Sequence, residues 1–561
     1  MIGRLILVQL LHNDELTSRS EKHRQIQTPR AARGKILDRH HNLLALNLDL
    51  ISVWADPRFF NADAREISAQ LAPVLETPKS EILASLQKKK REFIWLARDL
   101  PFDRLAKIQS IVQPIRGLKY QIHERRFYPK DDYACHIIGH TDFSNEGVDG
   151  IEYLHDSHLL GAANKSEIAS SESSVELSIA TDGKKRPISP RAVYETMSAS
   201  GNDIILTIDD NIQYIAEREL MTGCKNWKAK GGAAIVMHST TGEILAMANY
   251  PKYNLNAYST SQEAAKRNLT IWMQYEPGSV FKIVPAAAAL EEKVATPESK
   301  EFCENGSYRL SRGHTIHDVK PNGWLKLSEI LRKSSNIGIL KIANRLTKKQ
   351  FETYTLQFGF GEKTGIDLPH EQVGSLRGFH HWDAFSSASV PFGQGISATP
   401  VQVLNAMNVI AADGELLQPY ITKEIRARDG KVIAQRKPKR LRRVLSSKTA
   451  AQMTEMLVGV TEGGSGRNAR VEGYHVAGKT GTAQKAEKGK GYVDNKVVTT
   501  FVGFLPADDP QVSIVVVVDE PAGGALSSRV VAPIFKKIAS ETVAYLNQTD
   551  VFAPPPLAGR R

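Results

Sequence analysis

Three short polar clusters have residue types and spacings that could act together. Ser279 is followed three residues later by Lys282 in the run Pro277, Gly278, Ser279, Val280, Phe281, Lys282, just ahead of the alanine-rich stretch 286–290. At a helix start this spacing sets both side chains on one face, about one turn apart. A free serine is a poor nucleophile, but a neighbouring lysine can take its proton once burial and nearby cations lower the amine from its usual ~10.4. Backbone N–H groups at the helix start then suit the oxyanion of acyl transfer. Ser334, Ser335 and Asn336 form a polar trio between the amphipathic runs 327–331 and 337–343. Lys479, Thr480, Gly481 and Thr482 lie inside an apparent strand, where glycine lets a substrate backbone approach closely. Taken singly, each has a plainer reading: a helix cap with a surface lysine, a second helix cap, and a bulged strand.

The elements around these clusters predict an α+β domain. Residues 204–208 read as a strand, and 209–220 have the three-to-four spacing of an amphipathic helix. Runs 233–237 and 243–248, joined across Thr240, Thr241 and Gly242, predict a β-hairpin. Residues 475–483, 497–505 and 511–518 read as three further strands. Strands first, helices in the middle and strands last suggest one antiparallel sheet flanked by helices. Pro285 falls inside the expected helix after Lys282 and predicts a bend there.

Upstream, residues 25–161 mix β-type runs such as 50–54 with helical ones such as 64–75 and offer no nucleophile set, which predicts an elongated structural module of mixed α/β type. Residues 162–201, with four serines at 170, 171, 173 and 174 and with Gly183, Pro187 and Pro190, read as a polar connector. That places the chemistry in a module spanning 202–548, with a frayed tail at 549–561 carrying Pro554, Pro555 and Pro556. A chain of 561 residues is long enough for two such units.

Composition narrows the function classes. The net charge of +12 comes from scattered basic residues, not one stripe, which argues against nucleic acid as a partner. The densest basic runs, 88–91 and 437–443, read as solvated surface, with a lipid-facing or partner-facing role as the sharper alternative. Cys135, Cys224 and Cys303 are odd in number and far apart, so they form no disulfide framework. Cys303 with His314 and His317 is too loose a set for a metal site, and no metal or cofactor is expected. The apolar run from Leu5 to Leu11 is far short of the ~18 to 20 residues that span a bilayer and lacks a signal-peptide cleavage pattern. It reads as the end of a truncated membrane anchor, with residues 1–24 as a juxtamembrane segment, or as an amphipathic starting helix.

Ser-x-x-Lys, Ser-x-Asn and Lys-Thr-Gly in this order are the motif set shared by penicillin-binding proteins and serine β-lactamases. The chain resembles a class B penicillin-binding protein from Arg33 to Phe535. The run from Arg33 to Arg39 resembles the motif that opens the pedestal module of that family, and Arg126, Phe127, Tyr128, Pro129 and the run from Gly147 to Glu152 resemble its second and third motifs. Residues 53–57 and a compact hairpin at 308–318 look like the division-specific branch.

The resemblance implies a serine D,D-transpeptidase that cross-links peptidoglycan stem peptides and is acylated by β-lactams. It makes Ser279 the nucleophile and Lys282 its base, with Ser334 relaying the proton to the leaving amine with help from Lys479. Asn336 would hold the stem-peptide amide, Thr480 and Thr482 the substrate carboxylate, and the N–H groups of Ser279 and Thr482 the oxyanion. Gly481 would leave room for the substrate. Implied partners are the stem peptides, β-lactams, a membrane glycan polymerase and other division proteins, with the catalytic module in the periplasm at the inner membrane. Val280 stands where the family often has threonine, on the side away from the reaction. A serine β-lactamase or penicillin sensor would share the three motifs without needing the pedestal, and a non-catalytic division scaffold would not need the intact set.

Overall fold

A computed structural model describes residues 33–88, 90–161, 201–310, 314–376, 378, 382, 384–487 and 491–549. Residues 1–24, the connector up to residue 200 and the tail from residue 550 lie outside these, and with them the candidate anchor run.

The catalytic module is built on five antiparallel strands in the order Ala477–Glu487, Gly491–Leu505, Val512–Asp519, Gly231–His238, Ile244–Tyr250. The central strand carries an almost unbroken apolar run, as a strand covered on both faces should. Val515 and Val517 enter one core, while Val512, Ile514, Val516 and Val518 enter the other. Helices Asp210–Asn226 and Ser527–Thr549 cover the second face. Helices Ile283–Glu291, Pro400–Ala411 and Ser447–Gly463 supply the first. Asp209 starts its helix by accepting from the N–H groups of Asn211 and Ile212. The expected hairpin is present as Gly231–His238 paired with Ile244–Tyr250.

The pedestal grows from one long strand, Leu43–Ala55, which pairs antiparallel with Ile94–Pro101 on one side and Leu118–Phe127 on the other. Helices Ala64–Leu75, Lys79–Leu86 and Leu105–Val112 pack over Ile51, Val53 and Ala55 to make a separate core. We refer to this far part of the pedestal as its head. Toward the catalytic module the same sheet continues through Ile36–Leu37, which runs parallel to Asp203–Leu206, and then through Thr422–Arg426 and Val432–Gln435. One seven-stranded sheet therefore draws on both halves of the chain. The crossing is close: a Cβ on Gly34 would stand 1.9 Å from the Asn202 carbonyl oxygen.

The three pedestal motifs meet beneath this seam. Arg33 donates from Nε to Glu152 Oε2 at 2.8 Å and from Nη1 to Asp156 Oδ1 at 2.6 Å. Arg126 donates from Nε to the other Glu152 oxygen at 2.6 Å and from Nη1 to the Gly34 carbonyl at 2.7 Å. The side chains of Arg33, Arg126 and Glu152 are buried, and that of Asp156 is partly exposed. Burial alone would lower the Arg33 guanidinium, but Glu152 and Asp156 outweigh it and the net shift is upward.

Candidate active site

Ser279 and Lys282 lie on a 3₁₀ turn, Gly278–Lys282, and the α-helix begins only at Ile283. This differs from the expected α-helical start and aligns the pair better, because at three residues per turn side chains i and i+3 eclipse. Pro285 falls in the first turn of the α-helix Ile283–Glu291, where backbone N–H groups have no intrahelical partner, so the bend takes the form of this 3₁₀-to-α junction. The turn is wedged between two backbones. Gly278 N–H donates to the Gly393 carbonyl at 3.1 Å, and a Cβ on Gly481 would come 2.8 Å from the Pro277 carbonyl. Glycine at 481 is thus needed for strand Ala477–Glu487 to reach the turn that holds Ser279, a contact within the protein itself.

Ser334 ends helix Leu327–Lys333 in the left-handed region at φ 61°, and Ser335 caps helix Asn336–Ala343 by accepting from Gly338 N–H. The cap reading of this trio and the chemical one are therefore compatible. The left-handed serine turns its hydroxyl and carbonyl toward the lysines. Lys282 Nζ lies 2.6 Å from Ser334 O, 3.2 Å from Ser334 Oγ and 2.8 Å from Asn336 Oδ1. Lys479 Nζ reaches the same Ser334 Oγ at 2.9 Å and the Thr480 carbonyl at 3.2 Å. One hydroxyl is shared by two amines.

Both lysines are fully buried. Loss of solvation first, and the neighbouring Lys479 charge second, push Lys282 well below its ordinary value, with Asp318 acting in the opposite sense. Burial pushes Lys479 down to about 7. Neither amine has a carboxylate among its hydrogen-bond partners within the described residues. Two cations cannot rest comfortably here, so the cluster favours a state with at least one neutral amine, which is a proton acceptor at physiological pH.

Thr480 and Thr482 lie on the same strand and extend the site along it. Ser465 Oγ is 2.9 Å from Thr480 Oγ1, and Thr482 Oγ1 donates to Ser527 Oγ at 3.0 Å. Strand Ala477–Glu487 is an edge of its sheet, leaving backbone groups open to an extended peptide.

Several contributors carried no signal in the sequence. Asp318 accepts from Ser335 Oγ at 2.6 Å and from the N–H groups of Asn336 and Ile337 at 2.6 and 3.1 Å, so one carboxylate braces Ser335 and the start of the helix that follows Ser334. It arrives from the hairpin Ser307–Arg309 with Thr315–His317, whose His317 carbonyl accepts from Asn336 Nδ2 at 2.9 Å. Glu276, just before the turn that carries Ser279, accepts from Gly395 N–H at 2.9 Å and from Tyr492 OH at 3.1 Å. Burial raises its carboxyl despite these bonds.

Comparison with known proteins agrees with this geometry. Residues 232–540 match the penicillin binding protein transpeptidase domain, and residues 28–189 match the penicillin-binding protein dimerisation domain. The chain is 33% identical over 551 residues to Stage V sporulation protein D of Bacillus subtilis, covering 97% of this chain and 83% of that one. It is 30% identical over 557 residues to peptidoglycan D,D-transpeptidase FtsI of Escherichia coli, covering 98% and 89%. A crystal structure of penicillin binding protein 3 from Mycobacterium tuberculosis complexed with aztreonam superposes with a TM-score of 0.69 at 26% identity, covering 95% of this chain and 99% of that one. With the family's catalytic and pedestal modules both matched and lysines of two of its motifs meeting at the half-buried Ser334 hydroxyl, the chain belongs to the class B penicillin-binding proteins, the serine-type peptidoglycan D,D-transpeptidases that β-lactams target.

Proposed function

We propose that Ser279 forms the acyl-enzyme, and that the observation carrying this assignment is the position of Ser334 Oγ between two buried lysine amines. Lys282 accepts the Ser279 proton as Oγ bonds to the carbonyl carbon of the penultimate D-alanine. The tetrahedral oxyanion is held by the N–H groups of Ser279 and Thr482, and the C–N bond to the terminal D-alanine breaks. The proton passes through Ser334, aided by Lys479, to the departing amine. An amine of a second stem peptide then attacks the ester, restoring Ser279 and leaving the cross-link. Asn336 holds the stem amide, and Thr480 and Thr482, with Ser465 and Ser527 beside them, hold the substrate carboxylate.

A fluorescent penicillin followed by peptide mapping tests this. The label belongs on Ser279 alone and disappears in Ser279→Ala; a label on another residue removes the assignment.

The finer reading places the reaction at the division septum, beside a membrane glycan polymerase, with residues 25–161 as pedestal, 162–201 as connector and 202–548 as catalytic module. It is supported by the pedestal motifs around Arg33 and Arg126, by the 308–318 hairpin and by likeness to a transpeptidase named FtsI. Selective depletion in a rod-shaped host then gives filaments, whereas swollen round cells would assign the enzyme to side-wall growth. No helix among the described residues is long and apolar enough to cross a membrane. The proposed periplasmic setting at the inner membrane is tested by fractionating host cells, where the protein should sediment with the membranes and be reached by protease added from the periplasmic side.

A further inference from the structure

The pedestal head carries aromatic rings on the sheet face away from its helices. In strand Leu43–Ala55, Val53 and Ala55 enter the core, and alternation turns Trp54 outward. The register sets Trp54 opposite Trp95 on one neighbouring strand and opposite Lys119 on the other. Phe93 completes the group, its ring 4.8 Å from both tryptophans, and is 45% exposed. Beyond it lies Phe59, 49% exposed.

Cations surround these rings. Lys119 stands 5.1 Å from the Trp54 ring centre and Arg98 stands 5.0 Å from that of Trp95. Arg58 and Arg116 flank Phe59 at 5.4 and 5.3 Å. The basic run 88–91, read in the sequence as solvated surface with a lipid-facing or partner-facing role as the alternative, lies just before Phe93 and exposes Lys88, Lys90 and Arg91. The carboxylates nearby, Asp56 and Glu92, are both paired with Arg58. Among the described residues the other cations of the patch form no ion pair with a carboxylate.

Half-exposed aromatic rings ringed by lysine and arginine match the chemistry of a membrane interface, where rings sit at headgroup depth and cations meet phosphates. The charges lie around the rings instead of converging on one point, which suits a plane of mobile phosphates better than a single fixed acidic side chain. We propose that this face seats the pedestal head on a membrane surface rich in anionic phospholipid, a contact separate from any anchor and from the catalytic cleft.

Vesicle binding by the full chain tests it, using phosphatidylcholine alone and phosphatidylcholine mixed with phosphatidylglycerol. Phosphatidylglycerol increases the bound fraction at low salt, and the triple variant Lys90→Glu, Arg91→Glu, Lys119→Glu weakens that gain about tenfold or more. Brominated lipid quenches tryptophan fluorescence in the wild type, and Trp54→Phe with Trp95→Phe removes most of the quenching. Penicillin labelling stays at the wild-type level in every variant, which shows that they fold. Equal binding of wild type and triple variant to phosphatidylglycerol vesicles would overturn the proposal. So would an absence of quenching, or charge-dependent binding to purified glycan strands without binding to vesicles.

Discussion

Beneath the pedestal seam, Arg33 and Arg126 share Glu152, and Asp156 adds a second carboxylate, so each buried guanidinium there meets at least one opposite charge. Around Ser334, two lysines are buried just as deeply but meet only hydroxyl, carbonyl and amide oxygens. Burial is the same in both places and its outcome is opposite. In the first, opposite charges offset the loss of solvation and hold three distant chain segments together. In the second, no carboxylate bonds either amine and Asp318 only partly opposes the loss at Lys282, so the remaining cost appears as lowered amine proton affinity. The lowered amine affinities thus fall at the cluster where we propose that a proton moves.

The sharpest way to break this contrast is to remove one charge from each cluster. Lys282→Met should slow acylation by fluorescent penicillin by ~10² to 10⁴-fold, because base catalysis is lost, while thermal unfolding shows no destabilisation. A large drop in melting temperature would mean that Lys282 is structural after all. Glu152→Ala should do the reverse. It strands the buried Arg126 guanidinium, leaves Arg33 with Asp156 alone and costs about 3–5 kcal/mol of stability, read by denaturant unfolding, with the acylation rate of the folded fraction unchanged. Asp318→Ala touches neither lysine directly but frees Ser335 and the helix start that it braces. A loss of about 10²-fold in acylation is expected from the misplaced Ser334 and Asn336, with partial recovery in Asp318→Asn.

Titration sharpens the comparison further. Lys282 must be neutral to accept a proton, and burial beside Lys479 moves that limb well below the ordinary lysine range. Lys479 must be charged to attract a carboxylate, and it loses its proton near 7 in the free enzyme. The second-order acylation constant should therefore rise and then fall with pH, with the descending limb near pH 7. In Lys479→Arg that limb moves out of range, because a guanidinium stays protonated. A descending limb unmoved by this substitution would assign it to another group. The smallest effect is expected from Thr480→Val, about tenfold in substrate or penicillin affinity, as for one hydrogen bond to a charged group.

Where side-chain pattern and structure share a period, the fold was readable in advance. The strand at 511–518 appears as Val512–Asp519 and the helix at 64–75 as Ala64–Leu75, because apolar runs and a capping aspartate mark their limits. Ile36–Leu37 has two residues, too few for any period, yet it joins the two halves of the larger sheet. The three catalytic clusters were legible because each keeps its own chemistry within four adjacent residues. Asp318, Ser465 and Ser527 were not. Each reaches the cluster from a separate loop or helix start, and an isolated aspartate or serine looks the same there as on any surface turn. The 3₁₀ form of the turn that carries Ser279 was also hidden, since it is set by Gly393 and Gly481 pressing from two sides.

The parallel pairing of Ile36–Leu37 with Asp203–Leu206 has a mechanical consequence. Modules joined only by a covalent tether swivel about it, and the reach of the working end is then a cloud of positions. Here the tether is bypassed by a ladder of backbone hydrogen bonds that continues through Thr422–Arg426, so a tilt of the pedestal turns the module that carries Thr422–Arg426 with it. Whatever fixes the foot of this molecule also aims its mouth.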